Sequence, residues 1–333
     1  DLHRRATKYI SANTEVLFSV IDRYGDPSAT VNGTTSMRQA LPFSSSGAIL
    51  TPDGLVGMTN AKVEFDHMQN YGRGIGRSRA TPYATRYIWD DPKDLRHDTT
   101  SGNWMEMEML TYNNTGTLKG KSPYYGARLQ LRKADGTLLV SGGDTIRTWF
   151  AWPHYKLYVE DEIRYPLQGG NSDWYVFRLA ETHLLRAEAY WWKGDAASAA
   201  ADVNAVRTRA KCSPYTAAQV DLGTILDERG RELYYEEARK TELTRISYIF
   251  AKTGKSYNGK TYSIGSFSTS NFFYDRLMAK NDFYGKGIKN IRGDQYTLSP
   301  YHVLWPIPRP AICSTTPAVS ATGMVFAMAC TAV

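Results

Sequence analysis

Cysteine is scarce in this 333-residue chain, and its three cysteines, Cys212, Cys313 and Cys330, cannot form a complete disulfide framework. No CxxC pair is present, so the sequence lacks the usual spacing of zinc ligands. The longest apolar run, at residues 324–330, falls well short of the ~20 residues that a membrane-spanning helix needs. A disulfide-stapled domain, a zinc module and a membrane span are therefore not predicted.

Known catalytic signatures are also missing. The sequence contains no HExxH motif, no GxSxG motif, no P-loop and no Cys/His arrangement typical of a nucleophile. The glycines of NYGRGIGRSRATPY at residues 70–83 do not have the spacing of a dinucleotide-binding loop. The six histidines have no spacing of metal ligands, and His183 is expected to pack inside a helical hairpin. We therefore predict no catalytic residue, no metal site and no cofactor.

Charge of one sign is not concentrated anywhere in the chain. Lys and Arg number 40 against 33 Asp and Glu, which gives a formal net charge of +7. Because the basic residues are scattered singly, they predict a solvated surface rather than a site for nucleic acid or an anionic membrane. The polar segment that starts at Asp1 has no features of a signal peptide or lipidation site. If the protein is exported, we expect the signal to lie outside this sequence.

Aromatic residues, in contrast, are abundant. The chain contains 23 Tyr and 8 Trp residues, which suggests many amphipathic rings on or near the surface. Between residues 102 and 152 such rings punctuate short alternating stretches (MEMEML, ARLQLRK, TLLV) that predict hairpins or irregular strands. Core packing is the alternative for each ring, but together they are too many for one hidden core. The candidate ligand-binding residues are Trp104, Tyr112, Tyr124, Tyr125, Trp149 and Trp152.

The clearest secondary-structure signal is RLAETHLLRAEAYWWKGDAASAAADVNAVRTRA at residues 178–210. Apolar residues three or four positions apart form one stripe of a helix, namely Val176, Ala180, Leu184, Ala187 and Trp191. Gly194 is a left-handed stop and Asp195 can cap the next helix, so a very short turn is predicted. The second helix has a narrow face of small residues, namely Ala196, Ala199, Ala200, Val203, Val206 and Ala210. This pattern predicts a helical hairpin of tetratricopeptide type.

The other segments are interpreted from periodicity and composition. Residues 222–245 predict a further helical region whose dense charges of both signs are interpreted as structural pairs. SANTEVLFSVID at residues 11–22 contains Val16, Phe18 and Val20 in alternation and predicts a half-buried strand. Residues 24–85 and 253–300 are rich in Gly, Asn and Ser, and are interpreted as long loops.

Four carboxylates are clustered in WDDPKDLRHD at residues 89–98, namely Asp90, Asp91, Asp94 and Asp98. Paired carboxylates could act as acid and base on a glycosidic bond, or ligate calcium. Alternatively, the segment is a proline turn and helix start whose acids cap amides and pair with Lys93 and Arg96. The second interpretation is preferred, and the first is kept as an alternative.

Three motifs, taken in order, resemble the C-terminal half of the SusD/RagB family. They are the helix RLAETHLLRAEAYWWKGD with its partner DVNAVRTRA, the charged helix DERGRELYYEEARKTELTR, and the terminal WPIP. Upstream, NTEVLFSV and WDDPKDLRHD look like the middle region of that family. The match in order and spacing covers roughly residues 11–310, and it is specific because no single motif has to carry it.

The resemblance implies a mostly α fold of tetratricopeptide-like helical hairpins, with long irregular loops and a few short strands. Since members have four such helix pairs, we expect one SusD-like domain over residues 1–333 with a helical repeat core at 174–250. The family is usually longer and ends differently. The chain is therefore interpreted as a fragment that lacks the N-terminal part and carries an atypical tail at 309–333.

The resemblance also implies a function. SusD/RagB proteins are outer-membrane lipoproteins of Bacteroidetes, anchored by an N-terminal lipid and exposed on the cell surface. They bind oligosaccharide or polysaccharide without chemistry, as a lid on a TonB-dependent, SusC-like transporter. Two alternatives are a glycoside hydrolase that uses the cluster from Asp90 to Asp98, and a helical-repeat scaffold that binds only the transporter. The ligand could also be a peptide.

Overall fold

A computed structural model describes residues 2–27, 29, 36–44, 47–161, 163–167, 169–290 and 292–306. Helices dominate the regular structure, which confirms the mostly α fold. The α-helices are α1 (Ser36–Ala40), α2 (His67–Tyr71), α3 (Thr115–Leu118), α4 (Thr145–Thr148), α5 (His154–Leu157), α6 (Leu179–Lys193), α7 (Ala196–Arg209), α8 (Leu222–Glu232), α9 (Arg239–Thr253) and α10 (Phe272–Ala279). The strands are β1 (Val16–Val20), β2 (Trp104–Met105), β3 (Trp152–Pro153) and β4 (Trp174–Arg178).

The described residues form two compact units. Unit 1 comprises those of Asp1–Glu237 and Lys286–Tyr296, and unit 2 comprises Ala238–Gly285 with the described residues from Thr297 onward. The boundary between the units falls within the segment 174–250, which the sequence predicts as the repeat core. α6, α7 and α8 therefore belong to unit 1, while α9 and α10 belong to unit 2.

Some sequence predictions concern residues that the structure does not describe. The tail at 309–333, with Cys313 and Cys330, lies outside the described residues. Cys212 is described, and it is a buried free thiol. Within the described part of the chain, the helices are too short or too polar to cross a membrane.

The helical hairpin at 178–210 is confirmed. α6 ends at Lys193 and is capped by Gly194, which has a φ of 83° and donates its N–H to the carbonyl oxygen of Trp191 at 3.0 Å. Asp195 caps α7, because its side chain accepts a hydrogen bond from the Ser198 N–H at 3.0 Å. Val176 lies in β4, so α6 begins later than the periodicity indicates. The two helices bury a common face formed by Ala180, Leu184, Ala187, Ala199, Ala200, Val203 and Val206.

The region 222–245 forms two helices instead of one. α8 ends at Glu232, and Tyr235 has a φ of 62°, a left-handed conformation that interrupts the helix before α9. The interpretation of 253–300 as loops is wrong at α10, where Asn271 accepts a hydrogen bond from the Tyr274 N–H at 2.8 Å. Since α10 has 8 residues, it is too short to show a clear helical period.

β1 and β4 pair as an antiparallel ribbon, with Val16 opposite Arg178 and Val20 opposite Trp174. The strand predicted within residues 11–22 is therefore confirmed, and it spans Val16–Val20. Its predicted half burial is wrong, because Phe18 and Val20 are exposed. The register shifts on both sides of Phe18, and such irregularities break the simple alternation of inward and outward side chains.

A second core of unit 1 is built from loops and short helices, which agrees with the loops predicted at 24–85. Close backbone contacts explain two of the glycines at 70–83. A Cβ at Gly74 would lie 2.2 Å from the carbonyl oxygen of Pro42. A Cβ at Gly76 would lie 2.1 Å from the carbonyl oxygen of Arg147. Glycine is required here by the proximity of another backbone segment.

Candidate functional site

The six candidate ligand-binding rings divide into two groups. Tyr124 and Tyr125 are partly buried, and they pack against the core of unit 1 while part of their surface stays accessible. The other four are buried, with at most 8% of their surface exposed: Trp104, Tyr112, Trp149 and Trp152. Because stacking on a ligand requires an accessible ring face, the structure favours packing as the role of these four.

Specific contacts hold the buried rings. Gly57 leaves room for Tyr112, since a Cβ at Gly57 would lie 2.5 Å from the ring atom Cδ1. Trp149 donates its indole N–H to Glu108 Oε1 at 2.8 Å. The other two buried rings lie on β2 and β3, which pair with each other. Core formation therefore accounts for much of the aromatic content of the segment 102–152.

The accessible rings lie in a surface cluster formed by Glu64, Phe65, Lys119, Tyr124 and Tyr125, which we term the Tyr125 surface. The ring centroids of Phe65 and Tyr125 are 5.6 Å apart. Lys119 Nζ lies 5.6 Å from the centroid of the Tyr125 ring. The Tyr125 hydroxyl donates to Glu64 Oε2 at 3.3 Å. The Tyr125 surface thus combines aromatic area with one cation and one carboxylate.

A tight turn presents the two tyrosines. The Ala127 N–H donates to the Tyr124 carbonyl oxygen at 2.9 Å, and Gly126 has a φ of 79°. A Cβ at Gly126 would lie 3.2 Å from Phe65 Cε2, so glycine also allows Phe65 to approach the turn. Tyr124 packs edge to face on the buried Tyr112, with 6.3 Å between ring centroids. The turn is therefore anchored on the core behind it.

The charged groups of the Tyr125 surface are well exposed. Glu64 and Lys119 form an ion pair at 3.2 Å, and each side chain is 58% exposed. The hydrogen bond to Glu64 and the negative charge of Glu64 raise the pKa of Lys119. Exposed pairs of this kind contribute little to folding. The two groups can therefore exchange their mutual contact for a polar ligand at small cost.

Sequence reasoning missed Glu64, Phe65 and Lys119. Glu64 is 61 residues from Tyr125 and 55 residues from Lys119, so no local pattern connects them. The available signal is modest: residues 62–66, KVEFD, place an aromatic ring between charged residues in a loop. That signal does not indicate that Phe65 contacts the loop that carries Tyr125.

The Asp cluster at 89–98 is engaged in structural contacts, beginning with Asp90. Its carboxylate accepts a hydrogen bond from the Tyr215 hydroxyl and lies 3.3 Å from Nη1 of both Arg207 and Arg231. Partial burial alone would raise the pKa of Asp90. The hydrogen bond from Tyr215 and the two positive charges outweigh burial, so the pKa is lowered.

The other three carboxylates mainly cap backbone amides. Asp91 Oδ1 accepts from the Lys93 N–H, and Asp94 Oδ1 accepts from the Arg96 N–H, each at 2.9 Å. Asp94 also forms a buried ion pair with Arg96 at 2.7 Å. Hydrogen bonds from neighbouring residues lower the pKa of Asp91 and Asp98. In the residues described, no group of three or more His, Cys, Asp or Glu side chains is placed to hold a metal ion.

Charged residues of the hairpin pair with residues on other elements. Arg186 Nη2 lies 2.6 Å from Asp202 Oδ1, which joins α6 to α7. His183 Nδ1 contacts the same oxygen at 2.9 Å, which confirms its expected role in packing. Arg207 Nη1 lies 3.2 Å from Glu228 Oε2 and so joins α7 to α8. The charged residues of the hairpin therefore belong to the scaffold.

The charges of α8 form a larger buried cluster, which we term the buried ion network. Arg96 Nη1 lies 2.8 Å from Glu228 Oε1 and 2.9 Å from Glu232 Oε2. Arg178 Nη1 lies 2.6 Å from Glu232 Oε1, and Arg178 Nε donates to Glu236. The members of the network are Arg96, Lys156, Arg178, Arg207, Glu228, Arg231, Glu232 and Glu236. The charges of residues 222–245 are interpreted from the sequence as structural pairs, and the ion pairs made by Glu228, Arg231 and Glu232 confirm it.

The network strongly favours ionised carboxylates. Burial alone would raise the pKa of Glu236, but the charges of Lys156 and Arg178 lower it to about 2. Burial would likewise raise the pKa of Glu232, yet the surrounding arginines hold it well below its usual range. Because each buried carboxylate lies beside positive side chains, the attraction offsets the cost of burial and the carboxylates stay ionised inside unit 1.

Fold and site together define a protein with a helical-hairpin scaffold and a candidate binding surface built on loops. A model of the SusD family matches residues 20–320, and the chain belongs to the SusD family. This confirms the resemblance read from the sequence motifs. The starch-binding protein SusD of Bacteroides thetaiotaomicron is 31% identical over 124 residues, which cover 34% of this chain and 22% of that protein.

Solved structures give similar matches. A SusD superfamily protein from Bacteroides vulgatus is 32% identical over 29% of this chain and 22% of that chain, with a TM-score of 0.26. A SusD superfamily protein from Bacteroides fragilis is 15% identical over 94% of this chain and 51% of that chain, with a TM-score of 0.48. The chain thus spans between 22% and 51% of the length of these relatives.

Proposed function

We propose that this chain binds oligosaccharide or polysaccharide at the Tyr125 surface and does not convert it. The observation that carries the proposal is the juxtaposition of accessible tyrosine rings with a cation and a carboxylate. Sugar rings present flat C–H faces that stack on aromatic rings, while their hydroxyl groups bond charged side chains. Tyr124, Tyr125 and Phe65 supply the rings, and Glu64 and Lys119 supply the polar groups.

The Tyr125 ring is also restrained before any ligand binds. The Tyr125 hydroxyl donates a hydrogen bond to Glu64 and accepts one from the Thr115 hydroxyl at 3.2 Å. Because the ring is already fixed, little side-chain entropy remains to be lost on stacking. The exposed pair of Glu64 and Lys119 stays adaptable at the margin, so different hydroxyl patterns can be accommodated.

Binding without catalysis is favoured over the glycoside hydrolase alternative. A hydrolase of this kind needs one carboxylic acid that stays protonated, which requires a raised pKa. Instead, the pKa values of Asp90, Asp91 and Asp98 are lowered. Asp94 is buried and paired with Arg96. These contacts support a structural role for the cluster.

Membership of the SusD family supports a further part of the proposal. We infer that the protein is exposed on the outer-membrane surface, attached by a lipid outside this sequence. There it delivers glycan to a TonB-dependent, SusC-like transporter. Co-purification of the transporter with the native protein from outer membranes tests the partner. Recovery of the protein without any transporter would count against delivery.

The binding proposal is tested with a glycan array followed by calorimetry on the best glycan, with starch as the first probe because one relative is a starch-binding protein. Tyr125→Ala should weaken binding about tenfold, equivalent to ~1.4 kcal/mol. Tyr125→Phe keeps the stacking ring but loses the hydroxyl contacts that fix it, and should bind more tightly than Tyr125→Ala. Tyr87→Ala removes a tyrosine that is 67% exposed and lies outside the Tyr125 surface, and should have no effect.

Each outcome is informative. If the folded Tyr125→Ala protein binds like the wild type, the Tyr125 surface is not the site. If no carbohydrate binds at all, the scaffold alternative gains support and the proposal fails. Sustained release of shorter sugars that depends on Asp90 would instead favour the hydrolase alternative.

A further inference from the structure

Unit 2 contains a pocket that the proposed function does not use. Its cavity volume is about 180 Å³, smaller than the ~300–1,000 Å³ of most small-ligand sites, so an occupant is limited to one small ring. It lies between the loop that follows α9 and one side of α10. The lining residues include Tyr257, Lys260, Tyr262, Phe272, Asp275 and Arg276. We term this cavity the unit 2 pocket.

The apolar side of the unit 2 pocket is a cluster of rings. Phe272 and Tyr262 are almost fully buried, whereas Tyr257 keeps part of its surface accessible. Tyr257 packs edge to face on Phe272, with 5.6 Å between ring centroids. Behind them lies Phe250 of α9, whose ring centroid is 4.9 Å from that of Phe272. The accessible ring therefore rests on a rigid aromatic base.

A hairpin turn fixes the mouth of the pocket. Tyr257 and Lys260 exchange backbone hydrogen bonds of 2.9 and 3.1 Å across the turn residues Asn258 and Gly259. These turn residues have φ angles of 51° and 74°, the left-handed values that an Asn-Gly turn adopts in a tight hairpin. The turn thus holds an aromatic ring and an ammonium group at one edge of the cavity.

The polar side of the pocket is centred on Asp275. Its Oδ2 accepts a hydrogen bond from the Tyr262 hydroxyl at 2.8 Å and lies 2.5 Å from Lys260 Nζ. Since both contacts fall on Oδ2, the second carboxylate oxygen can accept a hydrogen bond from a ligand. Burial and the contact with Asp275 raise the pKa of Tyr262, so its hydroxyl stays protonated and keeps Asp275 in place.

We propose that the unit 2 pocket binds a single hexopyranose unit, stacked on Tyr257 and hydrogen-bonded to Asp275. A ligand for this pocket needs an apolar face for the ring and hydroxyl groups for a carboxylate and an ammonium group. A pyranose ring offers both on opposite parts of one small molecule. The choice of a sugar as ligand rests on the proposed function, whereas the pocket itself is described from unit 2 alone.

The pocket is tested with saturation-transfer NMR on the whole chain, using methyl α-D-glucopyranoside, methyl α-D-mannopyranoside and methyl β-D-galactopyranoside as probes. All measurements use the Tyr125→Ala background, so that the Tyr125 surface does not contribute. At least one probe should bind, and adding Tyr257→Ala or Asp275→Asn should weaken binding about tenfold. Tyr248→Ala, which removes a tyrosine of α9 that is 49% exposed and outside the pocket lining, is the matched control and should bind unchanged.

The results separate this proposal from the proposed function. If no probe binds in the Tyr125→Ala background, or if the folded Asp275→Asn and Tyr257→Ala variants bind as tightly as the control, the unit 2 pocket is not a sugar site. The Tyr125 surface is judged independently, by comparing the wild type with Tyr125→Ala for binding of the longer glycan. Either site can therefore fail while the other is upheld.

Discussion

Replacing Arg178 with methionine tests whether the buried ion network holds unit 1 together. The side chain of Arg178 is 1% exposed, and it ties the end of β4 to the end of α8 and the residues that follow. Its Nη1 lies 2.6 Å from Glu232 Oε1, its Nη2 donates to the Glu232 carbonyl oxygen at 2.8 Å, and its Nε donates to Glu236. Methionine fills a similar volume without the charge.

The expected loss of stability is large. Arg178→Met leaves Glu232 and Glu236 buried with less positive charge around them, and removing one partner of a buried ion pair typically costs ~3–5 kcal/mol. Whole domains are stable by only ~5–15 kcal/mol, so this is a substantial fraction of the total. The urea midpoint of unfolding should fall by at least ~1 M.

Tryptophan fluorescence is a suitable assay, because seven of the eight tryptophans lie in unit 1. Arg186→Met is the matched control: Arg186 belongs to the same hairpin and pairs with Asp202 at 2.6 Å, but its side chain is 57% exposed. Asp202 itself is buried, but it keeps its contact with His183 at 2.9 Å when Arg186 is removed, and the Arg186 end of the pair is screened by water, so the loss of stability should be clearly smaller. If Arg178→Met unfolds at the same urea concentration as Arg186→Met, burial of the network does not stabilise unit 1 and the reasoning fails.

Two further predictions concern pH and backbone contact. The pKa of the Glu236 carboxyl group is about 2 in the folded protein and ~4.3 in the unfolded chain. This difference contributes ~3 kcal/mol to the free energy of unfolding above pH ~4.3, and the contribution is lost as the pH falls toward 2. Urea unfolding at pH 5, 4 and 3 should show this loss, and a Glu236→Gln variant that loses stability as steeply would contradict it. Gly76→Ala should cost at least ~3 kcal/mol, because its φ is 59° and the new Cβ would lie 2.1 Å from the Arg147 carbonyl oxygen. Gly102→Ala, with φ 77° in open space, should cost only ~1–2 kcal/mol, and equal thermal melting of the two variants would refute the contact argument.

The parts of the fold that the sequence predicted are those with local signals. The hairpin of α6 and α7 follows from apolar periodicity together with Gly194 and Asp195, all within one short stretch. The structural role of the charges in α8 was also predictable from their mixed signs. Their partners were not, since Arg96 meets Glu228 across 132 residues of sequence and no spacing rule reaches that far.

The candidate site was harder to predict, because burial is a property of the whole fold. Tyr112 and Tyr125 lie in the same aromatic segment, yet one is fully buried and the other is accessible. What separates them is Gly57, which lets the ring of Tyr112 enter the core, and Gly126, which turns the chain at Tyr125. Sequence therefore supplied the ring types, whereas the tertiary contacts around these two glycines decided which rings face solvent.

The ribbon of β1 and β4 has a consequence for how the protein is made. Glu15 and Arg178, at one end of the ribbon, are separated by 163 residues of sequence. At a synthesis rate of ~5–20 residues per second, β1 leaves the ribosome about 8–30 s before its partner exists. During that interval Leu17, Phe18 and Val20 form an unpaired apolar edge, which is a template for association with other chains. Backbone pairing with β4 closes that edge, so the interval before the second strand arrives is the one in which β1 can pair with another chain.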